Sequence, residues 1–333
     1  MNRSLRMMLA VLCALALGGC AQYDDEQTRA ELRTLLAHKD FDGLEKSLTQ
    51  AHAKYLSGTL PSNAWAAQFQ GLATADAKLA PHFERWVSAK DSGYAHLARG
   101  MFLQQQAWQA RGSEAAADTS DAQLAAMRKL AAQARPDLLT ANEKIESCAL
   151  CAGALIGNNR ALDTRATDRA LLDAALVQDP KMWLPVLEYF QGIYPRWESY
   201  DEMESFIAEM RIKVKEPELI ANLQSRMYRD RARQALANNQ IDRVKMATSW
   251  YEQGVNERPY SLLLKELAEL YADQGHYQRA SELLELNLKR NDAADLPTID
   301  ALAKVYVELG QHRKSEKMLA RQEEIQRRYL VAE

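Results

Sequence analysis

The feature that most constrains the fold is a sequence repeat in the last third of the chain, where the same or similar residue types recur at an offset of 35 residues. A period between about 20 and 50 residues is typical of repeat proteins, in which each unit buries its apolar face by stacking on the next. The equivalent positions are Leu267, Ala268, Tyr271, Gly275, Tyr277, Ala280 and Leu284 in the first copy and Leu302, Ala303, Tyr306, Gly310, His312, Ser315 and Leu319 in the second. We therefore expect stacked units rather than one closed core.

The spacing within one copy predicts a pair of helices. Gly275 permits a tight turn between them, and the small side chain of Ala280 or Ser315 lets the second helix approach the first. These positions resemble those of the tetratricopeptide family, which implies that the first helices line the binding surface. A helical bundle that matches the pattern by chance is the alternative. The stripe along the first helix, at i, i+4, i+7, i+8 and i+11, is Leu263, Leu267, Leu270, Tyr271 and Gln274.

The rest of the chain is also predicted to be helical. From Arg29 onward Ala, Leu, Gln, Glu, Arg and Lys dominate, and the prolines occur singly between apolar-periodic segments, where helices end or restart. Weaker copies of the repeat pattern lie at residues 40–44, 171–180 and 250–259. We expect an all-α protein, a solenoid of helical hairpins with a more irregular helical N-terminal half.

Composition limits the classes of partner. A hydrophobic share of 47% is ample for a core. The formal net charge of −3 is mild and predicts neither nucleic acid nor an acidic polymer as a partner. Arg226, Arg229 and Arg233 follow i, i+3, i+7 and share one helix face. With Asp230 and Asp242 nearby, a solvated or groove-lining face explains them better than a nucleic-acid site.

The N-terminus has the order of parts that a signal peptide needs. Arg3 and Arg6 precede a short apolar run at residues 7–17, and Leu17-Gly18-Gly19-Cys20 follows. The apolar run is too short to cross a bilayer, which takes about 20 residues. This arrangement is similar to the lipobox of bacterial lipoproteins. An ordinary cleaved signal that happens to end at a cysteine is the alternative.

The lipoprotein resemblance implies that residues 1–19 are removed and that Cys20 is acylated. Multiple acyl chains are enough for stable anchoring. Ala21 and Gln22 lack the Asp that retains members of that family at the inner membrane, so the expected location is the periplasmic face of the outer membrane, if the source has one. No later apolar run has membrane length.

The middle of the chain carries several short motifs of Trp, Arg and Gly. They are Trp86, Ala98-Arg99-Gly100, Ala107-Trp108, Ala110-Arg111-Gly112, the stretch from Leu176 to Pro180, Tyr194-Pro195-Arg196-Trp197, Tyr200, Glu202, Met203 and Phe206. In this order, over roughly residues 30–215, they resemble the uncharacterised bacterial family called domain of unknown function 4034. That family usually follows Pro-Arg-Trp with two glycines and a serine, whereas Glu198 alone precedes Ser199 here. No activity comes with the family.

These motifs have two interpretations. Trp108 and Arg111, at i and i+3, can stack as a cation–π pair, which contributes about 0.5 to 2 kcal/mol. Gly112 then suits a helix C-terminus. Structural packing is the favoured interpretation. The functional one is a pocket for an anionic or sugar-like ligand, lined by Trp86, Arg99, Trp108, Arg111, Arg196 and Trp197.

Catalytic motifs are not found. The six histidines are scattered and none forms a His-Glu-x-x-His pair, so a zinc peptidase is unsupported. There is no Gly-x-Ser-x-Gly elbow, phosphate-binding loop or dinucleotide fingerprint. The sequence predicts a protein that is not an enzyme.

Cys148 and Cys151 are the remaining pair whose spacing suggests a specific chemistry. Two thiols one helical turn apart, in an oxidising compartment, are close enough to form a disulfide. Haem attachment would need His where Ala152 stands. Thioredoxin-like chemistry needs the first cysteine at a helix start after a strand, whereas residues 145–155 are predicted as continuous helix. A structural disulfide is favoured, and a buried reduced pair or redox catalysis stays open.

The sequence thus divides into a signal peptide at 1–19, a lipidated tether at 20–28, a helical domain at 29–215 and repeats at 216–333. We expect a membrane-anchored scaffold or adaptor that binds envelope proteins and uses no cofactor or metal. A small-ligand binder or enzyme built on the Trp and Arg motifs is the alternative.

Overall fold

The computed structural model describes residues 25–331 except residues 75, 113–118, 195–199, 215, 239–240 and 291–294. The predictions for the signal peptide and for Cys20 lie outside the described residues. None of the helices within them is both long enough and apolar enough to span a bilayer.

The prediction of an all-α fold is confirmed. Across the described residues the chain forms sixteen α-helices and two short 3-10 helices, with no strand. The α-helices are α1 (Asp25–Ala37), α2 (Phe41–Leu56), α3 (Ser62–Ala73), α4 (Ala80–Lys90), α5 (Gly93–Arg111), α6 (Asp121–Lys144), α7 (Ala149–Leu162), α8 (Asp168–Gln178), α9 (Trp183–Gly192), α10 (Asp201–Lys213), α11 (Pro217–Ala237), α12 (Arg243–Glu257), α13 (Ser261–Asp273), α14 (Tyr277–Arg290), α15 (Leu296–Glu308) and α16 (His312–Val331).

The chain forms two compact units, Met1–Gly192 and Ile193–Glu333. The predicted boundary lies later, between residues 215 and 216. The difference is α10, which packs against α11 and so joins the second unit.

The first unit has a continuous core rich in aromatic side chains. Trp65, Phe69, Phe83, Trp86 and Phe102 are at most 2% exposed. Helices α5 and α6 pack along each other more extensively than any other pair, and α7 packs on α6, α8 and α9. The core thus lies between these long helices and α1 to α4.

His52 lies inside this core, in a cluster of aromatic rings. Its imidazole stacks on Trp65 with ring centroids 5.1 Å apart, and its Nδ1 lies 2.9 Å from the hydroxyl of Tyr94. Burial lowers the pKa of His52 below its ordinary value of 6.5, against a smaller upward effect of the Glu146 carbonyl. The folded protein therefore favours the neutral ring.

We expect the first unit to lose stability as the pH falls through about 6.5 and below. The unfolded chain then binds a proton that the folded chain resists, so acid favours unfolding. His52→Phe keeps the ring stacking and removes the proton site. Thermal melts at about pH 7.5 and pH 5 should show a smaller loss for His52→Phe than for the wild type. The exposed-site control His38→Phe should melt like the wild type, and equal pH dependence of all three would contradict the prediction.

The second unit contains three successive helix pairs, α11/α12, α13/α14 and α15/α16. Each pair packs on the next, through α12 with α13 and α14 with α15. The predicted tetratricopeptide-like repeats are confirmed by this arrangement.

The two copies of the repeat share their turn geometry and a hydrogen bond. Gly275 and Gly310 have φ of +76° and +67°, a region that favours glycine. Tyr271 donates a hydrogen bond from its hydroxyl to Glu252 on α12. Tyr306, 35 residues later, donates to Glu285 on α14 over 2.6 Å. Each tyrosine thus ties its pair to the preceding pair.

The predicted packing residues are mostly buried. Gln274 is the exception in the stripe, since it is exposed and caps the end of α13. Leu319 on α16 is 46% exposed, unlike its equivalent Leu284. The predicted packing residues below 10% exposure are Leu263, Leu267, Ala268, Leu270, Tyr271, Ala280, Leu284, Leu302, Ala303, Tyr306 and Ser315.

The expectation of continuous helix at residues 145–155 is wrong. Helix α6 ends at Lys144, Ser147 takes φ +51°, and Cys148 caps the start of α7. Its Sγ accepts a hydrogen bond from the Cys151 amide over 3.1 Å. The chain breaks here because Ile145 leaves the helix in extended conformation and packs against Gly93.

Cys148 and Cys151 are joined by a disulfide, with Cα atoms 5.2 Å apart. The two residues are 3% and 0% exposed. A redox-active pair must present a sulfur to its substrate, and this pair faces the core. The bond therefore has the surroundings of a structural disulfide.

Candidate partner-binding groove

The Trp and Arg motifs of the first unit are engaged by other side chains of the protein. Trp86 is fully buried, and its Nε1 donates to Glu45 Oε1 over 2.8 Å. Ser92 donates to the same carboxylate. This tryptophan joins α4 to α2.

The Arg99-Gly100 motif connects α5 to α6. Arg99 donates from Nε and Nη2 to the two carboxylate oxygens of Asp137, each over 2.7 Å. Nδ1 of His96 lies 2.6 Å from Asp137 as well. The Asp137 side chain is 3% exposed, so the pair is shielded from water. A Cβ at Gly100 would lie 2.6 Å from a methyl carbon of Leu138, so glycine allows this close approach.

Trp108 has a different cationic partner from the one expected. The guanidinium of Arg160 on α7 lies over its ring, 4.8 Å from the centroid, and also forms an ion pair with Glu188 at 2.9 Å. Arg111 instead donates to the carbonyl of Gly112 over 3.2 Å. Gly112 ends α5 with φ +80°, as expected of a helix C-terminus.

Among the described members of this set, Trp86 and Trp108 lie in separate clusters rather than in one pocket. Trp86 belongs to the main core of the first unit. Trp108 packs instead on a separate small cluster that contains Ala107 and Met127. Arg196 and Trp197 lie outside the described residues.

Sequence reasoning missed a buried polar cluster on α7. Asn158 and Asn159 are 0% and 1% exposed in a helix whose residues before them are all apolar. Asn159 donates to Asp168 over 2.8 Å and accepts from Arg135, while Asn158 donates to the Ala131 carbonyl over 2.9 Å. Burial raises the pKa of the Asp168 carboxyl. The sign of this cluster in the sequence is the Asn-Asn-Arg run at residues 158–160. The hydrogen bonds of Asn158 and Asn159 hold α7 against α6 and α8.

A groove of about 310 Å³, open to solvent, lies on the second unit. It lies on the first helices of two successive pairs, α11 and α13, with one residue from α12. Its lining residues are Arg233, Leu236, Tyr251, Glu266, Glu269, Leu270 and Asp273.

A hydrogen-bond network fixes one wall of the groove. Arg229 donates hydrogen bonds to both carboxylate oxygens of Glu266, from Nε to Oε2 over 2.8 Å and from Nη2 to Oε1. The hydroxyl of Tyr251 also donates to Glu266, over 3.1 Å. Burial raises the pKa of this hydroxyl, which stays protonated and able to donate. The network holds α11, α12 and α13 in register.

The three arginines on the shared face of α11 therefore have separate roles. Arg226 binds Asn222 and lies 5.6 Å from the ring centroid of Tyr260. Arg229 is committed to Glu266. Arg233 is exposed and lines the groove. The groove-lining interpretation of this face holds for Arg233.

The carboxylates on α13 give the groove an acidic side. Burial raises the pKa of Glu269, and the negative charges of Glu266 and Asp273 raise it further. The charge of Lys265 opposes this rise as the smallest of the four effects, and its ammonium is paired with Asp295 at 3.2 Å. Among the described residues no group of three or more His, Cys, Asp or Glu could hold a metal ion.

The chain is similar to solved structures of IFIT1 at a low level. A monomeric mutant of IFIT1 with Gppp-AAAA has a TM-score of 0.40 and 11% identity, covering 85% of this chain and 77% of that chain. The human IFIT1 dimer with m7Gppp-AAAA has a TM-score of 0.36 and 11% identity, covering 85% and 78%. With TM-scores below 0.5, these likenesses carry no argument about this chain.

No curated protein matches the sequence. A family model matches residues 28–167, which include the Arg99-Gly100 and Arg111-Gly112 motifs but end before Leu176. That model is described as "Domain of unknown function (DUF4034)", and the resemblance to this family is thereby confirmed over residues 28–167.

Proposed function

We propose that this protein is a lipid-anchored scaffold of the bacterial cell envelope that binds protein partners through the groove of its second unit. The observation that carries the proposal is the position of the groove on α11 and α13, the first helices of successive repeats. Helix-pair solenoids use such surfaces for partners. Cys20 would supply the anchor, and the tether would end before Asp25 rather than at residue 28 as predicted, because α1 begins at Asp25.

The alternative, a small-ligand pocket in the first unit, has less support. Trp86, Arg99 and Trp108 each contact a partner within the protein, namely Glu45, Asp137 and Arg160. A ligand would have to displace these contacts, and losing a buried charge pair is costly.

The scaffold proposal is tested by photo-crosslinking in cells. A photoreactive residue at Arg233, in the groove, should give discrete adducts with envelope proteins. The matched control is Val177 on α8, which is 87% exposed and lies in the other unit. Adducts at Val177 that equal those at Arg233, or none at either position, would contradict the proposal.

The anchoring proposal is tested by Cys20→Ser. The thiol is the acyl acceptor, so the variant should lose labelling by a palmitate analogue and accumulate unprocessed or leave the membrane fraction. Labelling equal to the wild type would show that Cys20 is not the lipid attachment site.

A further inference from the structure

We infer that the partner segment seated in the groove of the second unit carries lysine or arginine next to an apolar side chain. This inference rests on the proposed function and specifies the chemistry of the partner. It follows from which groove residues are already neutralised within the protein and which are not.

The acidic side of the groove is incompletely neutralised. Three carboxylates line it, Glu266, Glu269 and Asp273, against one guanidinium, that of Arg233. Arg229 is not part of the groove lining, and its guanidinium pairs with Glu266 through two charge-assisted hydrogen bonds. Glu269 and Asp273 thus face the groove with Arg233 as the one cation in its lining.

The spacing of these two carboxylates makes the free groove unfavourable. Glu269 and Asp273 are four residues apart on α13, and like charges at i and i+4 destabilise a helix. The raised pKa of Glu269 reflects the same repulsion together with partial burial. A cation from a partner would relieve this repulsion, and electrostatic complementarity of this kind selects partners.

The remaining lining is apolar and the space is small. Leu236, Leu270 and the ring of Tyr251 form the other part of the wall. A volume of about 310 Å³ is at the lower end of the range for binding sites, so it holds one or two side chains. A lysine or arginine suits both parts, because its methylene stem covers apolar surface while its charged head reaches the carboxylates.

The test uses defined peptides and the full lipidated protein in nanodiscs of zwitterionic phosphatidylcholine, which do not attract cations. The probe is a fluorescent peptide with the sequence Gly-Lys-Leu-Gly-Lys-Leu-Gly-Lys-Gly. A matched probe has each lysine replaced by glutamate. Fluorescence anisotropy should show binding of the lysine probe, weakened by added salt, and much weaker binding of the glutamate probe.

The decisive variant is Glu269→Gln combined with Asp273→Asn. It should weaken the lysine probe about tenfold. Because it removes like-charge repulsion, it should fold at least as well as the wild type, so lost binding is not unfolding. The control is Glu308→Gln with Glu316→Gln, which makes the same charge change at exposed positions outside the groove lining and should bind like the wild type.

Equal affinity of the decisive variant and the wild type would overturn the inference, as would equal binding of the two probes. Such a result together with discrete adducts at Arg233 would leave the scaffold proposal standing. Absence of adducts at Arg233 would remove the scaffold proposal itself.

Discussion

Asp137→Ala is expected to lower the free energy of unfolding of the first unit by about 3 to 5 kcal/mol. Asp137 accepts hydrogen bonds from Arg99 and lies within bonding distance of His96 Nδ1, with its side chain almost completely buried. The substitution leaves the Arg99 guanidinium, which is 19% exposed, without its main counterion. Chemical denaturation followed by far-UV circular dichroism measures the change.

The control for Asp137→Ala is Glu143→Ala, an exposed site on the same helix α6, which should change stability by less than about 0.5 kcal/mol. A second variant separates charge from packing. Replacing Arg99, His96 and Asp137 together by leucine should recover much of the loss, since well-packed apolar residues can replace a buried ion cluster. If Asp137→Ala lowered the free energy of unfolding by less than about 1 kcal/mol, the cluster would not be what holds α5 against α6.

Ala280→Trp is expected to destabilise the second unit by about 1 to 3 kcal/mol. Ala280 is 0% exposed, on α14 where it packs on α13. An indole at that position needs space that a close-packed helix contact does not contain. The thermal unfolding transition of the second unit measures the effect, and a separate transition of the first unit should stay in place.

Gln278→Arg on the same helix provides the matched control. Gln278 is exposed, two residues before Ala280, so its side chain projects into solvent. This variant should melt within about 0.5 kcal/mol of the wild type. If both variants melted alike, the register assigned to the repeat would be incorrect.

Local pattern was enough to predict the repeats. Gly275 and Gly310 could be placed at turns because a positive φ favours glycine whatever the rest of the fold does. The stripe along α13 was predictable because helical period alone puts Leu263 and Leu267 on one face. The prediction of this stripe failed at Gln274, where the helix ends.

The contacts between distant residues could not be predicted from local pattern. Arg160, not Arg111, stacks on Trp108, and the two partners are separated by all of α6 and most of α7. The i, i+3 spacing showed that Arg111 could reach the ring, but it could not show that Arg111 turns to the Gly112 carbonyl. The break before Cys148 was also hidden, because it depends on Ile145 packing against Gly93 of another helix.

The groove was predicted only in outline. The spacing of Arg226, Arg229 and Arg233 indicated one helix face, and the tetratricopeptide resemblance indicated the first helices as the binding surface. Which arginine is neutralised depends on Glu266, which lies on a different helix. Charge balance in the groove is therefore a property of the tertiary structure.

The two tyrosine hydrogen bonds, Tyr271 to Glu252 and Tyr306 to Glu285, make each helix pair depend on the pair before it. In such an array, stability is close to a sum of the pairs and of the contacts between neighbours. Amide hydrogen exchange should therefore be graded along the second unit rather than uniform. A partner held between α11 and α13 would slow exchange in those helices most, and its protection would reach α16 only across the boundary between the second and third pairs, where α14 packs on α15 and Tyr306 binds Glu285.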